Sequence, residues 1–277
     1  MRDQVDALRA VPGPIERAKH ATALIEDWRA ASTEAARIRR EAIDELRASG
    51  MTQAEVAQAL GLTRARVSQL VKMGPPPERA FLGAGRLTIA VALKQEAEHG
   101  RPAVAQETVA AAERLRDLAH GLDLDSTIDY VPPPGILDLN RDDLIVLIGP
   151  RLSPLVAQIL AADPVLEFRS DDAGWYIVDQ REGKTYRSHL EEGAPGCVGY
   201  LGRFNRPDGR GTFLYMAGIH ALGVHVAAHY VEHNLASLYD QVRTRRFSAL
   251  VEGDFEAASR EVTASRLITP LYRHDQG

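Results

Sequence analysis

Residues 63 to 73 read TRARVSQLVKM and carry Arg64, Arg66 and Lys72 without a single acid. A guanidinium fork matches the O6 and N7 acceptors of guanine, and the carboxamide of Gln69 matches N6 and N7 of adenine. Ser68 can meet either a base or a phosphate. This is chemistry of recognition rather than of bond breaking. Two other places hold reactive types. In LIGPRLSPL, an apolar run ends at Gly149, Arg151 supplies a cation, and Ser153 followed by Pro154 has the form of a helix start. Free amides there, with Arg151 beside them, suit a small anion; the plainer alternative is a strand-to-helix turn without a ligand. Arg203, with Arg206 and Arg210 in GRFNRPDGRG, either adds cations to that ligand or decorates a surface hairpin.

The third place is a row of histidines. His225, His229 and His233 recur every four residues and share one side of a helix. Such spacing can hold zinc and leave a position open for catalysis. Glu232 is not arranged as in the H-E-x-x-H motif, however, and no cysteine is near. A hydrogen-bonded histidine row is the preferred reading, with no metal expected. Neither a glycine-rich dinucleotide fingerprint nor a Walker-type phosphate loop occurs. Cys197 reads as a strand residue, no catalytic constellation is found, and an enzyme is not expected.

The cationic stretch needs elements to hold it. Thr52-Gln53-Ala54-Glu55 has the form of a capping box, with Met51 and Val56 placed as a hydrophobic staple. A helix is predicted from Gln53, ending at Gly61, the residue that adopts left-handed backbone at least cost. Thr63 starts a second helix, with Leu62 and Val67 as its staple. Val56, Leu60, Leu62, Val67, Leu70 and Val71 are expected to form the seam between the two, with Ala57 small enough to let them approach.

Ala57, Gly61, Val67 and Leu70 match, in register, the small, glycine and apolar positions of the helix-turn-helix family, which this stretch resembles. The preceding ARIRREAIDELRASG looks like the helix that completes the three-helix unit. The stretch is also similar to the promoter-reading region of sigma factors. With GPRLSP and PDGRGTFLYMAGIHA further on, most of the chain resembles a group of actinobacterial sigma-factor-like DNA-binding regulators. The resemblance implies that the second helix enters the major groove, with Arg64, Ala65, Arg66, Ser68, Gln69 and Lys72 facing it. Gln53 and Thr63, at helix N-termini, would meet backbone phosphate. It also makes RNA polymerase a candidate partner, and implies neither a ligand nor a reaction.

Before the motif, Ile15, Ala18, Ala21, Leu24 (or Ile25) and Trp28 recur at helical spacing, either as a dimer seam or as a face packed on the DNA-binding unit. After it, Pro75-Pro76-Pro77 reads as a stiff, extended linker. RLTIAVAL, STIDYV and DDLIVLIG then alternate as strands with the helices QETVAAAERLRDLAHGL and SPLVAQILAAD, the pattern of a parallel α/β layer. Beyond Pro164 antiparallel strands are expected, with turns at Asp172-Ala173-Gly174 and Pro207-Asp208-Gly209. A helix is predicted over 224–242. The predicted fold class is an all-α helix-turn-helix domain over 1–76, then an α/β three-layer domain with a mixed sheet over 77–277.

Net charge is −5, and its distribution is uneven: residues 1–79 hold 13 Lys+Arg against 11 Asp+Glu, the remainder 20 against 27. Only a local patch can face phosphates. No apolar run reaches the length of a membrane span, the first twenty residues lack a signal-peptide core, and a lone cysteine suits a reducing cytoplasm. The sequence therefore predicts a cytoplasmic, homodimeric regulator of double-stranded DNA, with no membrane partner. Its second domain would sense a small-molecule effector, an anionic metabolite, rather than carry a resident cofactor. The alternatives are a nucleotide-processing enzyme with an accessory helix-turn-helix, and a structural DNA-binding or interaction protein.

Overall fold

Pro12 and Gly13 break the chain after a first helix, α1 (Arg2–Arg9), which the sequence reading does not anticipate. Pro14 then supplies a preset φ at a helix start, and neither proline nor glycine recurs before Gly50. Helix α2 accordingly runs unbroken over Pro14–Ala48. It is followed by α3 (Gln53–Ala59) and α4 (Arg64–Met73). The computed structural model describes residues 2–96, 100–188 and 196–274. Two compact units divide the chain, Met1–Pro77 and Glu78–Gly277.

In the first unit, Val56, Ala57, Val67 and Leu70 close on Ile43 of α2, with Leu46, Met51 and Val71 packed around them. Val56 and Val67 are wholly buried, each worth about 1.5–3 kcal/mol relative to exposure. Leu60 and Leu62, expected in this seam, are instead 43% and 38% exposed. The turn explains the correction. Gly61 takes φ 63°, its amide donates to Gln58 O and that of Leu62 to Ala57 O, at 3.1 and 2.8 Å. This doubly bonded helix end leaves both leucines outside the core, and Ile43 and Leu46 fill the space. The first half of α2 has no fully buried residue before Arg37. Along that half lies α1, with Trp28 Nε1 donating to Gln4 Oε1 at 3.3 Å. Pro77 opens a short 3₁₀ turn, Pro77–Phe81, so the proline run is extended only in part.

The second unit is built on one eight-stranded sheet. Its pieces in chain order are β1 (Leu87–Ala92), a two-stranded ribbon of β2 (Lys94–Gln95) and β3 (Pro102–Ala103), helix α5 (Gln106–Gly121), β4 (Ser126–Val131) and β5 (Leu144–Leu147). Helix α6 (Pro154–Leu160) leads to a separate three-stranded sheet of β6 (Leu166–Asp171), β7 (Gly174–Asp179) and β8 (Lys184–Arg187). The main sheet resumes with β9 (Cys197–Asn205) and β10 (Thr212–Gly218). Helix α7 (Ala221–Val242) follows, starting three residues earlier than predicted, and β11 (Phe247–Phe255), β12 (Val262–Leu267) and β13 (Tyr272–Arg273) close the chain.

Strand order is β12-β11-β9-β10-β5-β1-β4, with β13 paired to β11. β4, β1, β5 and β10 run parallel, and β9, β11 and β12 are joined antiparallel. The late strands are thus not all antiparallel, because β10 returns beside β5 in parallel. Alternation along each strand sorts the core into two clusters. Ile89, Val91, Ile145 and Leu147 pack with α5 and α7 on one face. Ala90, Val146 and Ile148 pack with α6 and the small sheet on the other. Three layers result, as the strand–helix alternation implies.

At the junction of α7 with the sheet, backbone meets backbone. A Cβ on Gly199 would lie 2.2 Å from Gly223 O, and one on Gly223 would lie 2.4 Å from Val198 O. Gly218 is equally closed, 2.4 Å from His220 O. Only glycine permits this approach.

Candidate nucleic-acid interface

Helix α4 is set by its own cap and its own apolar stripe. The Thr63 hydroxyl accepts from the Arg66 amide at 3.2 Å. Val67 and Leu70 then turn inward. With one face committed to the core, Arg64, Ala65, Arg66, Ser68, Gln69 and Lys72 are left exposed on the other, as are Gln53 and Thr63. No acidic residue lies in α4.

The exposed face is partly ordered by its own side-chain contacts. Arg66 Nη1 donates to Gln69 Oε1 at 2.7 Å, and Gln69 Nε2 lies 3.6 Å from Met73 Sδ. Met73 itself is 75% exposed. The Gln53 carboxamide donates to Arg64 O at 3.4 Å, tying the start of α3 to the start of α4. Around α3 the capping box forms in full: Thr52 Oγ1 accepts from the Glu55 amide, and the Thr52 amide donates to Glu55 Oε2 at 2.7 Å. These bonds hold the Glu55 carboxyl below its ordinary value. The acid of α3 is therefore directed at its own helix end.

The residues expected to hold a small anion do not gather as one site. Gly149 and Arg151 line a cavity of about 370 Å³ beyond the carboxyl ends of β1 and β5. The Ser153 hydroxyl is consumed, accepting from the Val156 amide at 3.3 Å and donating to Gly135 O at 2.6 Å. Arg203 stands at the opposite end of the sheet, in register with Leu214 and Phe247. It is 5% exposed and bonded to Phe81 O. Hence its side chain supports the core and does not reach the cavity. Arg206 is held by Asp142 and Asp208, and so belongs to a hairpin turn. Lys94, Thr108 and His220 line the same cavity as Arg151 and are missed in the sequence. A signal for them exists: α5 and α7 begin after Ala105 and His220, and neither start has a side-chain cap.

Two of the three histidines of the row are hydrogen-bonded, whereas His225 Nδ1 is buried without a partner among the described residues. His229 Nδ1 pairs with Ser265 Oγ at 2.7 Å, His233 Nδ1 with His229 O at 2.9 Å, and the two rings stack at 4.1 Å. Burial first, then His233 and Arg114, push His229 down to about 4. Among the described residues no group of three His, Cys, Asp or Glu could hold a metal ion. Cys197 is buried in β9, its thiol pushed up to about 12 by burial. No helix of the described residues is long and apolar enough to cross a membrane. No family model, curated protein or solved structure matches the chain.

Proposed function

We propose that the chain is a sequence-specific DNA-binding transcription regulator of the helix-turn-helix type, with its second unit as a sensory domain. One observation carries this reading: α4 buries Val67 and Leu70 and leaves Arg64, Arg66, Ser68, Gln69 and Lys72 exposed on a face without an acid. A helix packed only for structure has no need of such a face. Ten residues span ~15 Å, a length the major groove accepts. Arg64 and Arg66 would read guanines, Gln69 an adenine, and Lys72 a phosphate. The net charge of −5 confines attraction to this patch.

A single unit of this size buries little surface on DNA, and such motifs ordinarily act as symmetric dimers. The first half of α2 provides material for a dimer seam: Ile15 is 71% exposed and Ile25 47%. An effector bound to the second unit would act only through unequal affinity for DNA-competent and DNA-incompetent states. Gel shifts on the DNA upstream of the protein's own coding region test the reading. Binding that weakens with salt and is lost in Arg64→Ala/Arg66→Ala supports it; binding indifferent to both substitutions overturns it.

A further inference from the structure

The cavity beside Arg151 has the features of an anion site, at a position the sequence points to only in part. It opens where β1, β5 and β10, all parallel, end. From β1 the chain crosses through α5 to β4 on one side, whereas β5 lies on the other. Open α/β sheets bind ligands at such a divide.

Two long helices start at this cavity. Ala105, the N-cap of the 16-residue α5, and His220, the N-cap of the 22-residue α7, both line it. Neither start is capped by a side chain; the Thr108 and Gly223 amides turn back to Ala105 O and His220 O, and the earlier amides and both positive helix ends remain for a ligand. The α6 start nearby is different, being closed by Ser153. Lys94 and Arg151 add two cations, and among the described residues no carboxylate lines the walls. Neither forms an ion pair with any described residue. Arg151 lies 5.7 Å over the Trp175 ring and keeps donors in reserve, since among the described residues only its Nη2 donates, to Ile219 O at 3.1 Å.

Independent of the helix ends is Thr108. It lines the cavity, is 8% exposed, and its hydroxyl forms no hydrogen bond with any described residue. That hydroxyl is not among the side-chain atoms sealed from solvent, so it stays open to a ligand that enters the cavity. Part of the wall is apolar, built from Ala92, Leu147 and Val224. The volume of about 370 Å³ falls in the range of small-molecule pockets and exceeds the needs of a bare ion.

We infer that this cavity binds a small organic phosphate, with the phosphate between Lys94, Arg151, Thr108 and the starts of α5 and α7. The organic body lies against the apolar wall. The inference deepens the sensory role proposed above and rests on it only for its consequence, because ligand binding is measured without DNA.

Calorimetric titration of the full chain with ribose 5-phosphate, AMP and inorganic phosphate, with ribose and adenosine as controls, is the test. At least one organic phosphate should bind, more tightly than inorganic phosphate, while ribose and adenosine give no heat. Lys94→Ala and Arg151→Ala should each weaken binding about tenfold or more, the scale of one charge-assisted hydrogen bond. Thr108→Val should weaken it less, and Arg151→Lys should retain part of it. Unchanged melting temperatures without ligand establish that the variants fold. Absence of heat with all three phosphates, or equal affinity in the Lys94 and Arg151 variants, overturns the site. Loss of DNA binding in the Arg64/Arg66 variant with phosphate binding intact would separate the two readings.

Discussion

The guanidinium of Arg203 lies 5.2 Å over the ring of Phe81 and donates to that residue's own carbonyl. Phe81 in turn packs on Phe247 at 6.0 Å. One arginine in β9 thus fastens the 3₁₀ turn at the start of the second unit to the middle of the sheet. No carboxylate is in hydrogen-bond contact with it among the described residues, and burial brings its pKa down to about 10. Arg203→Met keeps the aliphatic bulk but leaves the Phe81 carbonyl without its donor. Its expected effect is a loss of about 1–3 kcal/mol, read as a lower midpoint in urea. An unchanged midpoint would show the bond to be dispensable.

Each base-reading arginine removed from α4 should weaken operator binding by about 1–3 kcal/mol. Lys72→Ala should instead lower affinity for all sequences and reduce the salt slope by about one. Fluorescence anisotropy at several salt concentrations distinguishes the two behaviours. A Lys72 variant that alters sequence preference would contradict its assignment to phosphate.

Thr52→Ala removes one half of the capping box on α3 and should destabilise the first unit by about 1 kcal/mol. The pH dependence has a definite sign. Because Glu55 is held below its ordinary value of 4.5, its contribution is present above that value and fades as pH falls through the lowered one. Circular dichroism melts of wild type and Glu55→Gln should therefore converge in acid, where the carboxyl is neutral, and separate near neutrality.

His229 is a base held neutral, down to about 4 against an ordinary 6.5. The unfolded chain takes up its proton first, so stability falls as pH drops from about 6.5 toward 4. His229→Gln should remove that slope. Identical slopes in wild type and variant would show the imidazole to be freely protonated in the fold.

The seam proposed on α2 predicts a dimer in sedimentation and a monomer in Ile15→Glu/Ile25→Glu. A monomeric wild type, or a dimer in both, would remove α2 from the assembly.

What the sequence disclosed depended on how local the cause was. The capping box at Thr52, the stop at Gly61 and the cap at Ser153 are settled by neighbours within four residues, and all are legible. The strand–helix alternation of the second unit is legible for the same reason. Leu60 and Leu62 were misplaced because the competitor for their space, Ile43, lies on another helix. Arg203 was misplaced because one end of a strand cannot be told from the other until register is known. Lys94, Thr108 and His220 are brought together only by the parallel ends of β1, β5 and β10, a relation invisible along the chain.

The contacts among Gly199, Gly218 and Gly223 bear on tolerance to change. A methyl group at any of the three would collide with main chain, which has no rotamer to escape into. In a saturation scan of the gene these codons should stand out as nearly blank columns, whatever trait is selected, and the first turn of α7 should drift least among descendants of this protein. Novelty in the cavity would then arise more readily at its other lining residues, such as Lys94 and Ala105.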